Sequence, residues 1–138
     1  MNIYLAGAIL GCSDKECVDW RTEAKKLLKD RWCSSKSLHL LDPMCRDYRG
    51  QYDKDIRNEI VMLDKMMIDR SNILIANTNV TSWGTGMEIL YAWERGKIVV
   101  CFSEKEHPIW VRYHSASCHE NLEKAVKWIY ESIFIYEN

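Results

Sequence analysis

Proline and glycine are scarce in this chain of 138 residues, at two and six, and neither clusters. With no linker-like stretch, low-complexity segment or internal repeat, residues 1–138 are expected to form a single domain. That length lets roughly two thirds of the unfolded chain's surface be buried. An excess of either charge is also missing: 19 Lys and Arg against 20 Asp and Glu give a net charge of -1, with no run of like charges. A nucleic-acid polymer is therefore not an expected partner, because that binding rests on a positive surplus along one face. No apolar run approaches the roughly 18–20 residues that span a bilayer, so no membrane association is expected either. The N-terminus lacks the basic lead-in and apolar stretch of a signal peptide. Cysteines stand at 12, 17, 33, 45, 101 and 118, and no two are separated by the two residues of a zinc knuckle or redox pair. His39, His107 and His119 have no second His or carboxylate at metal spacing. The expectation is reduced thiols in a cytoplasmic protein, with no metal and no other cofactor.

What is present is globular in composition, 47% apolar and 28% charged, with an unusual six tryptophans. Asn2–Ala6, Leu38–Leu41, Ile73–Ala76 and Ile98–Phe102 have the length and apolar or β-branched content of buried strands. Between and after them, Glu16–Arg31, Lys54–Arg70, Gly86–Arg95 and His119–Phe134 read as helices. This alternation predicts an α/β fold whose parallel sheet is covered by helices on both faces. Ligands of such sheets bind beyond the carboxyl ends of the strands. The loops starting at Gly7, Asp42, Asn77 and Ser103 are thus expected to converge on one site.

Three Ser/Thr-x-x-Glu spacings, Ser13 with Glu16, Thr85 with Glu88 and Ser117 with Glu120, predict capping boxes at helix starts. Along Lys54–Arg70 the apolar Ile56, Ile60, Met67 and Ile68 trace one face, and Asp64 falls on it. A carboxylate turned toward a core is either held by hydrogen bonds as a structural acceptor or placed there for chemistry. In Asn77–Glu88 the small residues Ser82, Gly84, Thr85 and Gly86 let backbone N–H groups approach a ligand, and a helix N-terminus behind them favours an anion. The segment is neither a Walker loop nor a Gly-x-Gly-x-x-Gly fingerprint. Glu88 is either the capping partner of Thr85 or a nucleophile or general base. Trp110–Ser115 mixes aromatic, basic and hydroxyl groups that suit either a base and a phosphate or an ordered loop filling core space. Asn79-Val80-Thr81 matches a glycosylation acceptor pattern, which has no meaning without secretion.

Taken in order, Ile3–Ile9, Asp42-Pro43, Arg46–Arg49, Asp64, Ser71–Asn77, Ser82–Ala92 and Gly96-Lys97 resemble the nucleoside 2-deoxyribosyltransferase family. The most specific part is Gly84-Thr-Gly-Met-Glu88, followed by an aromatic-Ala pair and Gly-Lys. The resemblance implies a flavodoxin-like three-layer sandwich with a parallel sheet of four to five strands, and cleavage of an N-glycosidic bond between deoxyribose and a base. It implies Glu88 as nucleophile, Asp64 as the residue that holds or protonates the substrate, and Tyr4 as the residue that positions Glu88. Substrate contacts are then expected from Gly7, Ile9, Asp47, Asn77, Ser82, Gly84, Met87, Arg112 and His114. Two acids in unlike settings suit such chemistry, one attacking and the other supplying a proton.

Two departures from the family pattern stand out. Ser82 occupies the position where base-swapping members carry Asp, and Ser is what related deoxynucleoside 5′-monophosphate N-glycosidases show there against the phosphate. The Asn that transferases supply from a neighbouring subunit has no counterpart near Trp110, which leaves Arg112 and His114 as candidates for that contact. The expected function is transfer of a deoxyribosyl group between bases. Hydrolysis of a 5′-monophosphate is the alternative, and a non-catalytic nucleotide-binding protein the second alternative. The expected partners are a nucleoside or nucleotide and a free base. A homo-oligomer is also expected, from the family and from the aromatic residues Trp128, Tyr130 and Phe134 of the C-terminal helix.

Overall fold

The computed structural model describes residues 1–32, 36–51 and 54–137. Cys33, among the cysteines considered above, lies outside the described residues. Five strands, β1 (Asn2–Gly7), β2 (His39–Leu41), β3 (Ile73–Asn77), β4 (Ile98–Phe102) and β5 (Ser117–His119), alternate with helices. The helices are α1 (Asp14–Cys17), α2 (Asp19–Arg31), α3 (Lys54–Arg70), α4 (Trp83–Glu94), α5 (Ile109–Tyr113) and α6 (Leu122–Ser132). Every strand pair is parallel and the order is β2-β1-β3-β4-β5, the flavodoxin-like arrangement. No described helix is long and apolar enough to cross a membrane.

The period of two in the strands divides the core into two layers. Ile3, Leu5, Ile73, Ile75, Val100 and Phe102 face α2 and α6, where Ala24, Leu28, Val126 and Ile129 are buried. Tyr4, Ala6, Leu74, Ala76, Val99 and Cys101 face the other way, against Ile68 of α3 and Ile89 and Ala92 of α4. Both faces of the central strands are covered, which is why they read as continuous apolar runs.

Three expectations are corrected. The segment Glu16–Arg31 is two helices, joined at Val18, with the Ser13–Glu16 capping box formed ahead of the first. Ser117 caps no helix: it lies in β5, in register with Val100, while Asn121 caps α6 by accepting from Lys124 N at 2.9 Å. The third concerns α4, which begins one turn before Gly86. Ser82 is its N-cap, and its Oγ accepts from Thr85 N at 3.3 Å, so Thr85 lies inside the first turn and makes no box with Glu88. At the far end Gly96 takes φ +66°, and the Gly96 and Lys97 amides donate to the Trp93 and Ala92 carbonyls. This Schellman closure explains the Gly-Lys pair after the helix.

Candidate active site

A cavity of about 200 Å³ opens at the carboxyl ends of β1 and β2, beside the start of α4. This is the crevice where the strand order reverses, with β2 and β3 on either side of β1. One wall is apolar, made of Ile9, Leu10, Pro43, Ile60, Leu63 and Met67, and the other carries Asp64, Ser82, Gly84, Thr85 and Glu88. Such a division suits a small molecule with one flat apolar end and one polar end.

Gly7 ends β1 at the edge of this cavity. A Cβ there would lie 2.9 Å from Cζ2 of Trp20, so the close approach of α2 to the strand end calls for glycine. Three residues earlier Tyr4, with no exposed surface, points to the α3–α4 side and donates its hydroxyl proton to Glu88 Oε1 at 2.7 Å. Asp64, from α3, lines the same cavity as Glu88. Both carboxyls line the cavity and both titrate high. Burial pushes Glu88 up to about 8, with the Asp64 charge adding to it and Tyr4 and Arg21 opposing it. Burial pushes Asp64 up to about 6 against the same two opposing groups. Burial and the two acids together push the Tyr4 phenol far above its ordinary range, so it stays a donor. The pair titrates as a unit and carries one proton between about pH 6 and about pH 8.

The polar wall continues to the α4 N-terminus. Thr85 Oγ1 is buried and finds no hydrogen-bond partner among the described residues. Ser82, Gly84 and Thr85 line the cavity here, at the helix end whose positive pole favours an anion. Arg46, Tyr48 and Arg49, which follow β2, close the opposite rim. Arg49 is tied down: its guanidinium donates to Asp47 Oδ2 and Asp14 Oδ1 at 2.7 Å each and to the Cys12 carbonyl at 3.2 Å.

Of the catalytic and substrate-contacting residues expected from the sequence, Gly7, Ile9, Asp64, Ser82, Gly84 and Glu88 line this cavity, and Tyr4 bonds to Glu88 from β1. The remainder do not. Asp47 sits on the outer side of the rim, where Arg49 holds its carboxyl down at about 2. Asn77 borders a separate groove between α2 and α6, and its Oδ1 accepts from Asn79 N at 3.0 Å. The expected convergence of four loops is thus split, since Glu104, just past Ser103, also borders that second groove. Met87 is 68% exposed on the outer face of α4. Arg112 is exposed on α5, while His114 is buried among Trp93, Trp110 and Tyr113 with Nδ1 2.7 Å from the Trp110 carbonyl.

The expected contacts did not include Arg46, Tyr48 and Arg49, which entered only through the family resemblance, or the buried Arg21. For Arg21 a signal existed: Cys17, Arg21, Ala24 and Leu28 recur every three or four residues and all four are buried. Of the aromatic residues of the C-terminal segment, Trp128 and Tyr130 pack partly buried against the core and Phe134 is buried in it. The exposed aromatic surface lies elsewhere, at Trp83 and Trp93 of α4 and Trp110 and Tyr113 of α5.

Three solved structures share the fold at low sequence identity. The 2-deoxyribosyltransferase of Bacillus psychrosaccharolyticus is 17% identical with a TM-score of 0.72, over 91% of this chain and 90% of that one. A conserved protein from Enterococcus faecalis V583 is 16% identical with a TM-score of 0.69, over 96% and 98%. The CMP N-glycosidase BcmB of Clostridium botulinum is 19% identical with a TM-score of 0.57, over 99% of both chains. No curated protein matches the chain. The model of one family, described as nucleoside 2-deoxyribosyltransferase, matches residues 3–131, nearly the whole sequence, and the chain therefore belongs to that family.

Proposed function

We propose that the chain cleaves the N-glycosidic bond of a 2′-deoxynucleoside at Glu88 and transfers the deoxyribosyl group to a second base. Family membership supports a deoxyribosyltransferase or N-glycosidase activity. The observation that carries the finer reading is the 2.7 Å bond from Tyr4 to Glu88 Oε1, with Asp64 lining the same cavity. A phenol has one proton to give, and here it goes to Glu88. Of the two acids Glu88 titrates higher and holds the shared proton at rest; passing that proton to Asp64 leaves Glu88 as a carboxylate that the Tyr4 hydroxyl stabilises, and Asp64 as the acid that can donate to a substrate. In the first step a Glu88 oxygen bonds to the anomeric carbon, the bond to the base nitrogen breaks, and the Asp64 proton goes with the departing base. In the second step a nitrogen of the incoming base attacks the same carbon, Glu88 leaves, and the proton returns to Asp64. Two inversions give net retention. The apolar wall would take the base, and the donors at the α4 N-terminus the sugar.

One observation favours a second reading, hydrolysis of a nucleoside 5′-monophosphate. Ser82 brings a hydroxyl, where an acid would repel phosphate, to a helix N-terminus with a free Thr85 hydroxyl beside it, and Arg46 lines the same cavity. Incubation with deoxynucleosides and with their 5′-monophosphates, each with and without an added base, separates the readings by the products resolved chromatographically. Exchanged nucleoside supports transfer, and free base from the monophosphates alone supports hydrolysis. Tight nucleotide binding with no product in any mixture would leave only a binding protein. Trp83 and Trp93 of α4 and Trp110 and Tyr113 of α5 leave aromatic surface exposed, which supports a homo-oligomer closing over this side. Light scattering on the purified protein tests that directly. A cytoplasmic location remains part of the same proposal.

A further inference from the structure

Arg21 is a fully buried side chain, 1% exposed, and the reaction steps above make no use of it. It comes from α2, on the opposite face of β1 from α3 and α4. Nη2 donates to the Gly7 carbonyl at 2.9 Å and to the Leu5 carbonyl at 3.4 Å, and Nη1 donates to the Cys17 carbonyl. Nε lies 3.3 Å from Asp42 Oδ1 without the alignment of a hydrogen bond, while Lys25 binds the other oxygen of Asp42. Two cations thus share one carboxylate, leaving a surplus positive charge at the strand end that borders the cavity.

Packing alone does not call for this arrangement. An apolar side chain would fill the space without the desolvation of a guanidinium, and buried ion pairs add little to stability on balance. The groups facing Glu88 are Tyr4 from β1 and Asp64 from α3, with Arg21 behind the strand. Across the cavity stand Arg46, Tyr48 and Arg49, the last neutralised by Asp47 and Asp14. Arg21 holds the carbonyl of Gly7, which lines the same cavity as Asp64 and Glu88, so its buried charge stands at the edge of the site that holds both acids.

We propose that Arg21 is a positioning residue whose fixed charge behind β1 keeps one carboxyl of the Glu88–Asp64 pair ionised at neutral pH, while its fork fixes the Gly7 and Leu5 carbonyls. This rests on the reading of those two acids as the reacting pair.

The test is the pH profile of kcat/KM for wild type, Arg21→Gln, Arg21→Lys and Asp42→Asn. It is paired with a carbon-13 NMR titration of the side-chain carboxyls, assigned with Glu88→Gln and Asp64→Asn. Removing the cation moves both limbs of the Arg21→Gln profile up by about one pH unit, a loss of about tenfold below the acid limb and little at pH 8. Arg21→Lys keeps the charge and the limb positions but lowers kcat, because an ammonium does not reproduce the planar fork. Asp42→Asn removes the opposing charge and moves both limbs down. If Arg21→Gln does not fold, the Asp42→Asn and Arg21→Lys profiles decide. Limbs and carboxyl titrations that superimpose on wild type in all folded variants overturn the proposal. Carboxyls that shift as described in a protein that cleaves no nucleoside or nucleotide would instead overturn the functional reading and leave the electrostatic one standing.

Discussion

Replacing Glu88 by Gln is expected to abolish turnover and, above neutral pH, to make the protein more stable. An acid whose folded pKa is raised binds its proton more tightly when folded. Its contribution is fully favourable below the unfolded value and is lost as pH rises through the folded one. For Glu88 that window runs from 4.5 to about 8. Taken at face value the shift corresponds to roughly 5 kcal/mol at pH 9, and because the side chain shares its proton with Asp64 the share recovered in the variant is closer to roughly 2–4 kcal/mol. The substituted amide would retain an oxygen to accept the Tyr4 hydroxyl, and its nitrogen can turn to the open cavity, so Glu88→Gln strands no buried donor. For a chain of this length each kcal/mol moves the midpoint by roughly 3–5 °C, which gives an increase of about 6–20 °C at pH 9. At pH 5 wild-type Glu88 is already largely protonated, and the two proteins should melt together. Thermal denaturation at both pH values, with turnover measured on the same samples, makes the comparison. If Glu88→Gln melts lower than wild type at pH 9, the carboxylate stabilises the helix end as a cap does, and the reasoning about a strained, functional acid is refuted. Unchanged turnover would refute it equally.

Asp64→Asn removes the proton that accompanies the leaving base, with an expected fall in kcat of about 10²–10⁴-fold on a natural deoxynucleoside. The loss should be far smaller on a deoxyribosyl fluoride, whose leaving group needs no proton, and equal losses on both would argue for a structural Asp64. Ser82→Asp sets a carboxylate among the donors at the α4 N-terminus. Like-charge repulsion of several kcal/mol should cut kcat/KM on 5′-monophosphates by at least about tenfold and spare nucleosides, and a uniform effect would remove the phosphate from that end of the cavity. Gly7→Ala forces a methyl against the Trp20 ring at 2.9 Å. Overpacking of this kind costs about 1–3 kcal/mol, so a midpoint unchanged from wild type would show that α2 yields there freely.

The central strands were legible because their apolar runs are buried on both faces, and the structure extends β1 and β3 only to Gly7 and Asn77. Strand β5 was not. Ser117-Cys118-His119 has no apolar run, and it becomes a strand because the edge of β4 needs a partner, a tertiary demand that no local pattern carries. The start of α4 failed for another reason: Ser82-x-x-Thr85 and Thr85-x-x-Glu88 are overlapping caps three residues apart. The second has the acid of a full capping box, but the first puts Thr85, Ile89 and Ala92 on one buried face. That choice of frame decides the role of Glu88, since an acid two turns into the helix, beside the buried Ile89, reaches Tyr4 on β1 and no longer its own helix end.

Asp64 and Arg21 show what a reading of one helix at a time leaves out. Each is a charge on an apolar helix face, and the rule that singled out Asp64 applies equally to Arg21. Their connection depends on β1 alone. Tyr4 turns toward α3 and α4, while the Leu5 and Gly7 carbonyls are taken by a guanidinium arriving from α2. Strand β1 alone separates the cation on one face from the carboxyls on the other, in surroundings that screen charge poorly. The sequence separates Arg21 from Asp64 by a strand, a loop and most of a helix, and only the parallel order β2-β1-β3, with α2 and α3 on opposite faces of β1, brings their charges to the same cavity.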